Sequence, residues 1–234
     1  MTVSQVCPTV DFHTHLDRQQ PLSVSKDVVR IISVPLSEAA LELPENCFAT
    51  LELHPWQGEP WSEGFARTAE KSRFIGIGEV GLDRLKGKLP LSEQMAIFSQ
   101  TAMLAQKLNK PLTVHCVKCF SELLQIYKAL KWQVPTVIHY FCGKLELAEQ
   151  LWHNTRFVLS LPPKIYAQKP LLDFLKEHKE FLDRIVLETD DPTAGDIEQH
   201  YQIMAERLDI GLPELQELMY KQFERLYNNA GNFR

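Results

Sequence analysis

No apolar run in the 234 residues approaches the roughly 20 that a membrane-crossing helix needs. The start, MTVSQVCPTV, has no basic segment leading into an apolar one, which is the pattern of a secretory signal. Cysteine is sparse: Cys7, Cys47, Cys116, Cys119 and Cys142 form an odd set without the density of a disulfide scaffold, which fits a reducing compartment. Positive charge does not dominate either. The 25 Lys and Arg stand against 30 Asp and Glu, and a formal charge of −5 argues against coating nucleic acid or membrane by bulk charge. No repeat, low-complexity tract or linker divides the chain. The expectation is a soluble, cytoplasmic protein with one domain over 1–234, a monomer or weak oligomer with no membrane partner.

What is present is a rhythm. Short β-rich runs occur at TVDFHTHL, VVRIISV, CFATLELH, FIGIGEVGL, PLTVHCV, TVIHYF, RFVLSL and RIVLETD. Helical periodicity lies between most of them. The clearest helix runs from Ser92 to Leu108, with Met95, Phe98, Met103, Leu104 and Leu108 as its apolar stripe and Pro111 beyond its end. Other helices are predicted over 120–131, 144–153, 169–178, 197–208 and 213–228, whereas the proline-bearing connection between the second and third strands is the weakest helical segment. Eight strands alternating with helices predict an α/β fold, the (β/α)8 TIM barrel, at roughly 29 residues per unit. A doubly wound open sheet is the alternative, and would place ligands at one switch point rather than around a ring.

The polar residues choose between them. In VDFHTHLD, Asp11, His13 and His15 share one strand face, because side chains at i and i+2 point together. Two imidazoles side by side fill a core poorly but chelate a divalent metal well. Glu79, His115, His139 and Asp190 stand near the C-terminal ends of the fourth, fifth, sixth and eighth runs. In a barrel those ends meet at the mouth where the chemistry is kept. A lone strand histidine is more often a hydrogen-bonded core residue, but charged groups are rarely buried unpaired, and His13, His15, Glu79, His115, His139 and Asp190 at one end read together as metal ligands. Six donors exceed the four of one tetrahedral site and suit two divalent ions sharing Glu79, mid-ring, as a bridge. One ion with some of these residues behind it is the alternative.

The ordered set DFHTHLD (11–17), LHP (53–55), GEVGLD (78–83), PLTVHC (111–116), VIHYFCG (137–143) and LETDDP (187–192) resembles the TatD-like metal-dependent deoxyribonucleases, within the amidohydrolase-type barrels. The resemblance implies a TIM barrel, hydrolysis of DNA phosphodiesters and divalent metals such as Zn, Mg or Mn. By position, it implies one metal on His13, His15, Glu79 and Asp190 and a second on Glu79, His115 and His139. It also departs from the family pattern. Glu52 stands where a glycine is usual, Trp56 where a second histidine is common, and Lys118 in the place of an arginine. After Pro192 the chain enters a helix almost at once, where relatives carry a longer loop.

The predicted activity is cleavage of a phosphodiester by metal-activated water, with Asp190 and Glu79 catalytic and nucleic acid as substrate. His54, Lys118 and Arg84 are the candidate substrate contacts. Arg18, Arg84, Lys86, Lys88, Lys118, Lys144 and Lys164 follow strand ends and predict a cationic rim. Short or end-proximal substrates are expected, because the short segment after Pro192 leaves little to grip a long strand. An amidohydrolase acting on C–N or ester bonds and a non-catalytic metal-bound interaction protein are the two other classes. Glu188 reads as orienting a ligand from behind, the C-x-x-C pair as structural, and His153, His178 and His200 as solvent-facing.

Overall fold

The computed structural model describes residues 7–16, 25, 27–191 and 196–227. Its strands are β1 (Thr9–Thr14), β2 (Val28–Pro35), β3 (Cys47–Leu53), β4 (Phe74–Asp83), β5 (Leu112–Val117), β6 (Thr136–Ile138), β7 (Val158–Leu161) and β8 (Ile185–Leu187). The helices are α1 (Glu63–Ala69), α2 (Leu91–Leu108), α3 (Phe120–Leu130), α4 (Leu145–Asn154), α5 (Lys169–Glu177), α6 (Ile197–Leu208) and α7 (Leu212–Tyr227). The sheet runs in chain order from β1 to β8. Pairing is parallel where β3, β4, β5 and β6 meet in turn and where β7 meets β8. This is the (β/α)8 TIM-barrel class that the alternation predicts. Among the described residues no helix is long and apolar enough to cross a membrane.

All ten residues of β4 are buried, and FIGIGEVGLD reads as a nearly continuous apolar run because helices cover strands of parallel sheets. The other strands fall where the periodicity places them, with two refinements. His15, His139 and Asp190 lie just past β1, β6 and β8, and the last two of these strands are only three residues long. Helix α1 was not anticipated. It is seven residues long, starts at Ser62, whose hydroxyl accepts from the Phe65 amide at 3.1 Å, and buries Phe65 and Ala69. Between β2 and β3 the described residues hold only a 3-10 turn at Leu36–Glu38. In α2 the inward face carries Gln94, Phe98, Thr101, Ala102, Leu104 and Ala105, and Met103 of the predicted stripe is exposed. Met103 stands five residues from Phe98, about 140° round the helix. Arg18 and the segment 192–195, with Pro192, lie outside the described residues.

By Cα packing the chain divides into two compact units, 1–31, 44–47 and 140–225, and 32–43, 48–139 and 226–234. In the first, β1 is tied to the end of β8: the Asp190 amide donates to the His13 carbonyl at 2.9 Å and the His15 amide to that of Asp190 at 3.1 Å. The fully buried Asp11 carboxylate accepts from the Thr189 amide at 2.9 Å and hydroxyl at 2.7 Å across the same seam. Burial raises the Asp11 carboxyl to about 7, against the Thr189 hydrogen bonds that lower it. Tyr201 of α6 donates to the Val10 carbonyl at 2.8 Å, and Phe223 of α7 meets Phe12 edge-on. In the second unit, Phe98 of α2 packs edge-on against Trp132, and the Lys110 ammonium bonds the carbonyls of Ala69 and Lys71 at 2.5 and 2.8 Å.

Candidate metal centre

Within the second unit, His54 follows β3, β4 delivers Glu79 and Asp83, β5 delivers His115, and His139 follows β6. The register of β4 slips around Glu79 on both sides, between Leu51 and Leu53 against β3 and between Ile77 and Val80 against β5. Such bulges re-aim side chains beside active sites. Gly81, at φ 155°, faces His115 so closely that an added Cβ would meet the His115 carbonyl oxygen at 1.9 Å.

Three imidazole nitrogens crowd one buried carboxylate oxygen. Glu79 Oε1 lies 2.8 Å from His54 Nε2, 2.5 Å from His115 Nδ1 and 2.8 Å from His139 Nε2. The partners set the tautomers. His54 Nδ1 accepts from the Trp56 amide at 3.0 Å, so its Nε2–H donates to Glu79. His115 Nε2 lies 3.0 Å from Asp83 Oδ2. Burial pushes the Asp83 carboxyl up, yet hydrogen bonds from the Trp56 indole, the Lys86 amide, His115 and the Leu85 amide outweigh it and hold the group at about 2. Asp83 is therefore an ionised acceptor, and His115 donates to it through Nε2–H. That leaves the His115 Nδ1 lone pair facing the Glu79 oxygen at 2.5 Å and His139 Nε2 at 3.2 Å. Two acceptors so close repel unless a proton or a cation lies between them. The donor set fits a divalent metal.

In the first unit, His13 is fully buried on β1, whereas the His15 side chain is 38% exposed. Their Nε2 atoms lie 3.3 Å apart, and Asp190 Oδ1 lies 3.5 Å from the first and 3.6 Å from the second. Metal–nitrogen and metal–oxygen bonds of about 2.0–2.1 Å at the tetrahedral angle separate their donor atoms by roughly 3.3–3.4 Å. Asp190 adopts φ 64°, a left-handed conformation that aspartate tolerates, at the point where its backbone pairs with β1.

The family model for TatD related DNase matches residues 10–228. The chain belongs to this family. The 3'-5' ssDNA/RNA exonuclease TatD of Rahnella sp. (strain Y9602) is 28% identical over 167 residues, covering 68% of this chain and 63% of that protein. The exonuclease of the same name from Klebsiella pneumoniae (strain 342) is 30% identical over 119 residues, covering 47% and 45%. The matched segment thus spans less than two thirds of these curated relatives. Among solved structures, a TatD homologue of Escherichia coli K12 aligns at TM-score 0.76 and 19% identity, over 96% of this chain and 99% of that one. An uncharacterized amidohydrolase of Saccharomyces cerevisiae aligns at TM-score 0.64 and 13% identity, over 94% and 100%. At these identities the likeness carries the fold.

In this TatD-family chain, residues beyond the six predicted ligands shape the group. Asp83 closes the GEVGLD motif, and the sequence alone assigns it no role. Its Oδ2 takes His115 and the Trp56 indole N–H at 2.6 Å, and its Oδ1 takes the Leu85 and Lys86 amides at 2.7 and 2.9 Å. Ser33 accepts from the Glu79 amide at 2.8 Å and donates to Glu52 Oε2 at 2.9 Å, so Glu52, where the family pattern has glycine, braces the backbone of Glu79. Glu188 accepts from the Tyr140 amide, one residue beyond His139. His54 bonds Glu79 directly. Lys118 is exposed at φ 55°, and its carbonyl accepts from Arg84, whose guanidinium also pairs with Glu122. Lys86, Lys88, Lys144 and Lys164 are exposed. The cysteines are free. His153 and His178 are exposed as expected, but His200 is buried, with Tyr166 donating to its Nδ1 at 2.6 Å and its own Nε2–H donating to the Leu161 carbonyl at 2.8 Å. Its position on α6 turns it inward, a fact helical spacing alone did not carry.

Proposed function

We propose that the chain hydrolyses phosphodiester bonds at the ends of single-stranded nucleic acid, using two divalent cations. The observation that carries this is the His115 Nδ1 lone pair set 2.5 Å from the Glu79 carboxylate oxygen, with His139 Nε2 3.2 Å away, in a chain of the TatD family. The proposed assignment gives one ion to His13, His15, Glu79 and Asp190 and the other to Glu79, His115 and His139. Bound there, Zn, Mg or Mn would lower the pKa of water and polarise phosphoryl oxygens.

The remaining work falls to the chain. Asp83 fixes the His115 tautomer so that Nδ1 keeps its lone pair for the site, as partners behind a ligating histidine do. His54 holds the Glu79 carboxylate through its N–H, and Ser33 holds the backbone beneath it. The Asp190 side chain, 27% exposed, is the base that takes the proton of the attacking water. The relatives from Rahnella and Klebsiella, named as 3'-5' ssDNA/RNA exonucleases, support the choice of single-strand ends.

The test offers metal-reconstituted protein a bis-aryl phosphodiester, a single-stranded oligonucleotide and an N-acyl amino acid. The first two should be hydrolysed, chelation should stop the reaction, and Asp190→Asn should lower kcat by at least about 10²-fold. An end-labelled single strand should be shortened while a closed circular duplex stays intact. Turnover of the N-acyl amino acid alone would instead make the chain an amidohydrolase. No turnover of any substrate by fully metal-loaded protein would reject catalysis.

A further inference from the structure

A tryptophan in solvent beside a buried polar group is unusual, and Trp56 is 41% exposed. Its ring lies 4.9 Å from that of His54 and 5.6 Å from that of His115, centroid to centroid. The indole does not swing freely, because its N–H donates to Asp83 Oδ2 at 2.6 Å and its own amide donates to His54 Nδ1. The loop behind it is fixed as well: the Lys88 amide donates to the Pro55 carbonyl at 3.1 Å, and the Gln57 amide to that of His54 at 3.0 Å. One face of the ring is open to a cation, with Lys86 Nζ 4.4 Å from its centroid. Lys86 is placed by the same carboxylate that anchors the indole, since its amide donates to Asp83 Oδ1. Asp83 thus joins a candidate metal ligand, an exposed aromatic face and an exposed ammonium.

We propose that Trp56 is a stacking platform for a nucleobase, and that Lys86 pairs with the adjoining phosphate. The inference rests on the phosphodiesterase reading and names the part of the substrate that this edge of the site takes. Three features favour a base over an aliphatic or purely anionic ligand. A rigid, exposed indole offers a π-face, which every base can match whatever its sequence. The cation already over the ring shows the face to be accessible, and an exposed cation–π contact is weak enough for a base to displace. Finally, the ring adjoins His54 and His115, both within hydrogen-bonding distance of Glu79, so a base on Trp56 leaves its own phosphate within one nucleotide of the donor group.

The experiment measures equilibrium binding by fluorescence anisotropy, using a labelled four-nucleotide single strand with phosphorothioate linkages. It is compared with the same strand carrying an abasic terminal residue. Wild-type protein should bind the base-bearing strand about tenfold more tightly, within the range that aromatic stacking gives. Trp56→Ala should bring the two strands to equal affinity, and Trp56→Phe, which keeps a ring but loses the bond to Asp83, should fall between. Lys86→Ala should weaken both strands alike. Equal loss on the two strands in Trp56→Ala, or a wild-type protein indifferent to the terminal base, overturns the proposal. If Trp56→Ala does not fold, the wild-type and Trp56→Phe comparison decides it alone. Base-dependent binding without phosphodiester hydrolysis would uphold the platform and reject the phosphodiesterase reading. Hydrolysis without base dependence would do the reverse.

Discussion

At the scale of single residues, Asp83 organises the site without being one of the predicted ligands. The four hydrogen-bonded partners of its carboxylate come from β5, from the loop after β3 and from its own turn. Asp83→Asn keeps one acceptor oxygen for the turn amides but turns an NH2 group toward two donors, the His115 and Trp56 ring N–H groups. His115 then loses the partner that fixes its tautomer. Divalent-metal affinity measured by calorimetry should fall by roughly 10–100-fold, the usual cost of removing a partner behind a ligating histidine. Undiminished affinity would show that Asp83 acts on the turn alone. The motif GEVGLD placed this carboxylate at a strand end, so its position was legible. Its role was not, because the indole is 27 residues upstream and the imidazole 32 downstream, and only the folded chain brings them together. The six predicted ligands stand out in the sequence for the opposite reason. His13 and His15 declare a shared face by their spacing, and Glu79 and His115 sit inside strongly apolar runs where a polar group needs a purpose.

At the scale of elements, the strands announced themselves through composition, whereas the short helix α1 did not. Its seven residues show only Phe65 and Ala69 to the core, too few to display a period. Closeness between elements was also invisible in the sequence. At Gly81 the β4 backbone approaches that of His115, and an added Cβ would lie 1.9 Å from the carbonyl oxygen at a φ of 155°. Gly81→Ala should therefore push β5 aside, lowering both stability and metal affinity. A substituted protein that melts within a degree or two of wild type and binds metal normally would refute the close approach. Helix α6 carries a second consequence. Burial depresses His200 to about 4, against the Leu161 hydrogen bond that raises it, so the imidazole is neutral in the folded protein. The unfolded chain takes up a proton near pH 6.5, and the folded one does not until about 4. Its contribution to stability is complete above about pH 6.5 and is lost as pH falls toward 4, reaching about 3 kcal/mol over that window. Denaturant titrations of wild type and His200→Gln at pH 7 and pH 4.5 should show a smaller acid loss in the variant. Equal losses would mean that another group dominates.

At the scale of the whole molecule, the proposed ions would link metal, proton and fold. The formal charge of −5 hides a concentration of imidazoles and carboxylates in the two donor groups, and a cation binds only the neutral imidazole and the ionised carboxylate. If these groups hold ions in the native protein and not in the unfolded chain, metal stabilises by mass action. At a free concentration about a hundred times Kd the gain is about 2.7 kcal/mol per site. For a chain of this length that corresponds to a rise in Tm of roughly 5–11 °C per site, at about 2–4 °C per kcal/mol. Chelator should reverse it. Acid should erase it too, because protons compete with metal for the same imidazole nitrogens and carboxylate oxygens, so the shift seen at pH 7.5 should shrink as the pH falls. The His200 effect is separate, since it persists in chelator. Glu79→Gln should lose most of the metal-dependent shift at both sites if its carboxylate bridges, whereas Asp190→Asn should spare the part owed to His115 and His139. A Tm indifferent to metal and chelator at pH 7.5 would remove the ions from the account of this fold. A Glu79→Gln protein that retains the full shift would leave the ions in place and remove the bridge.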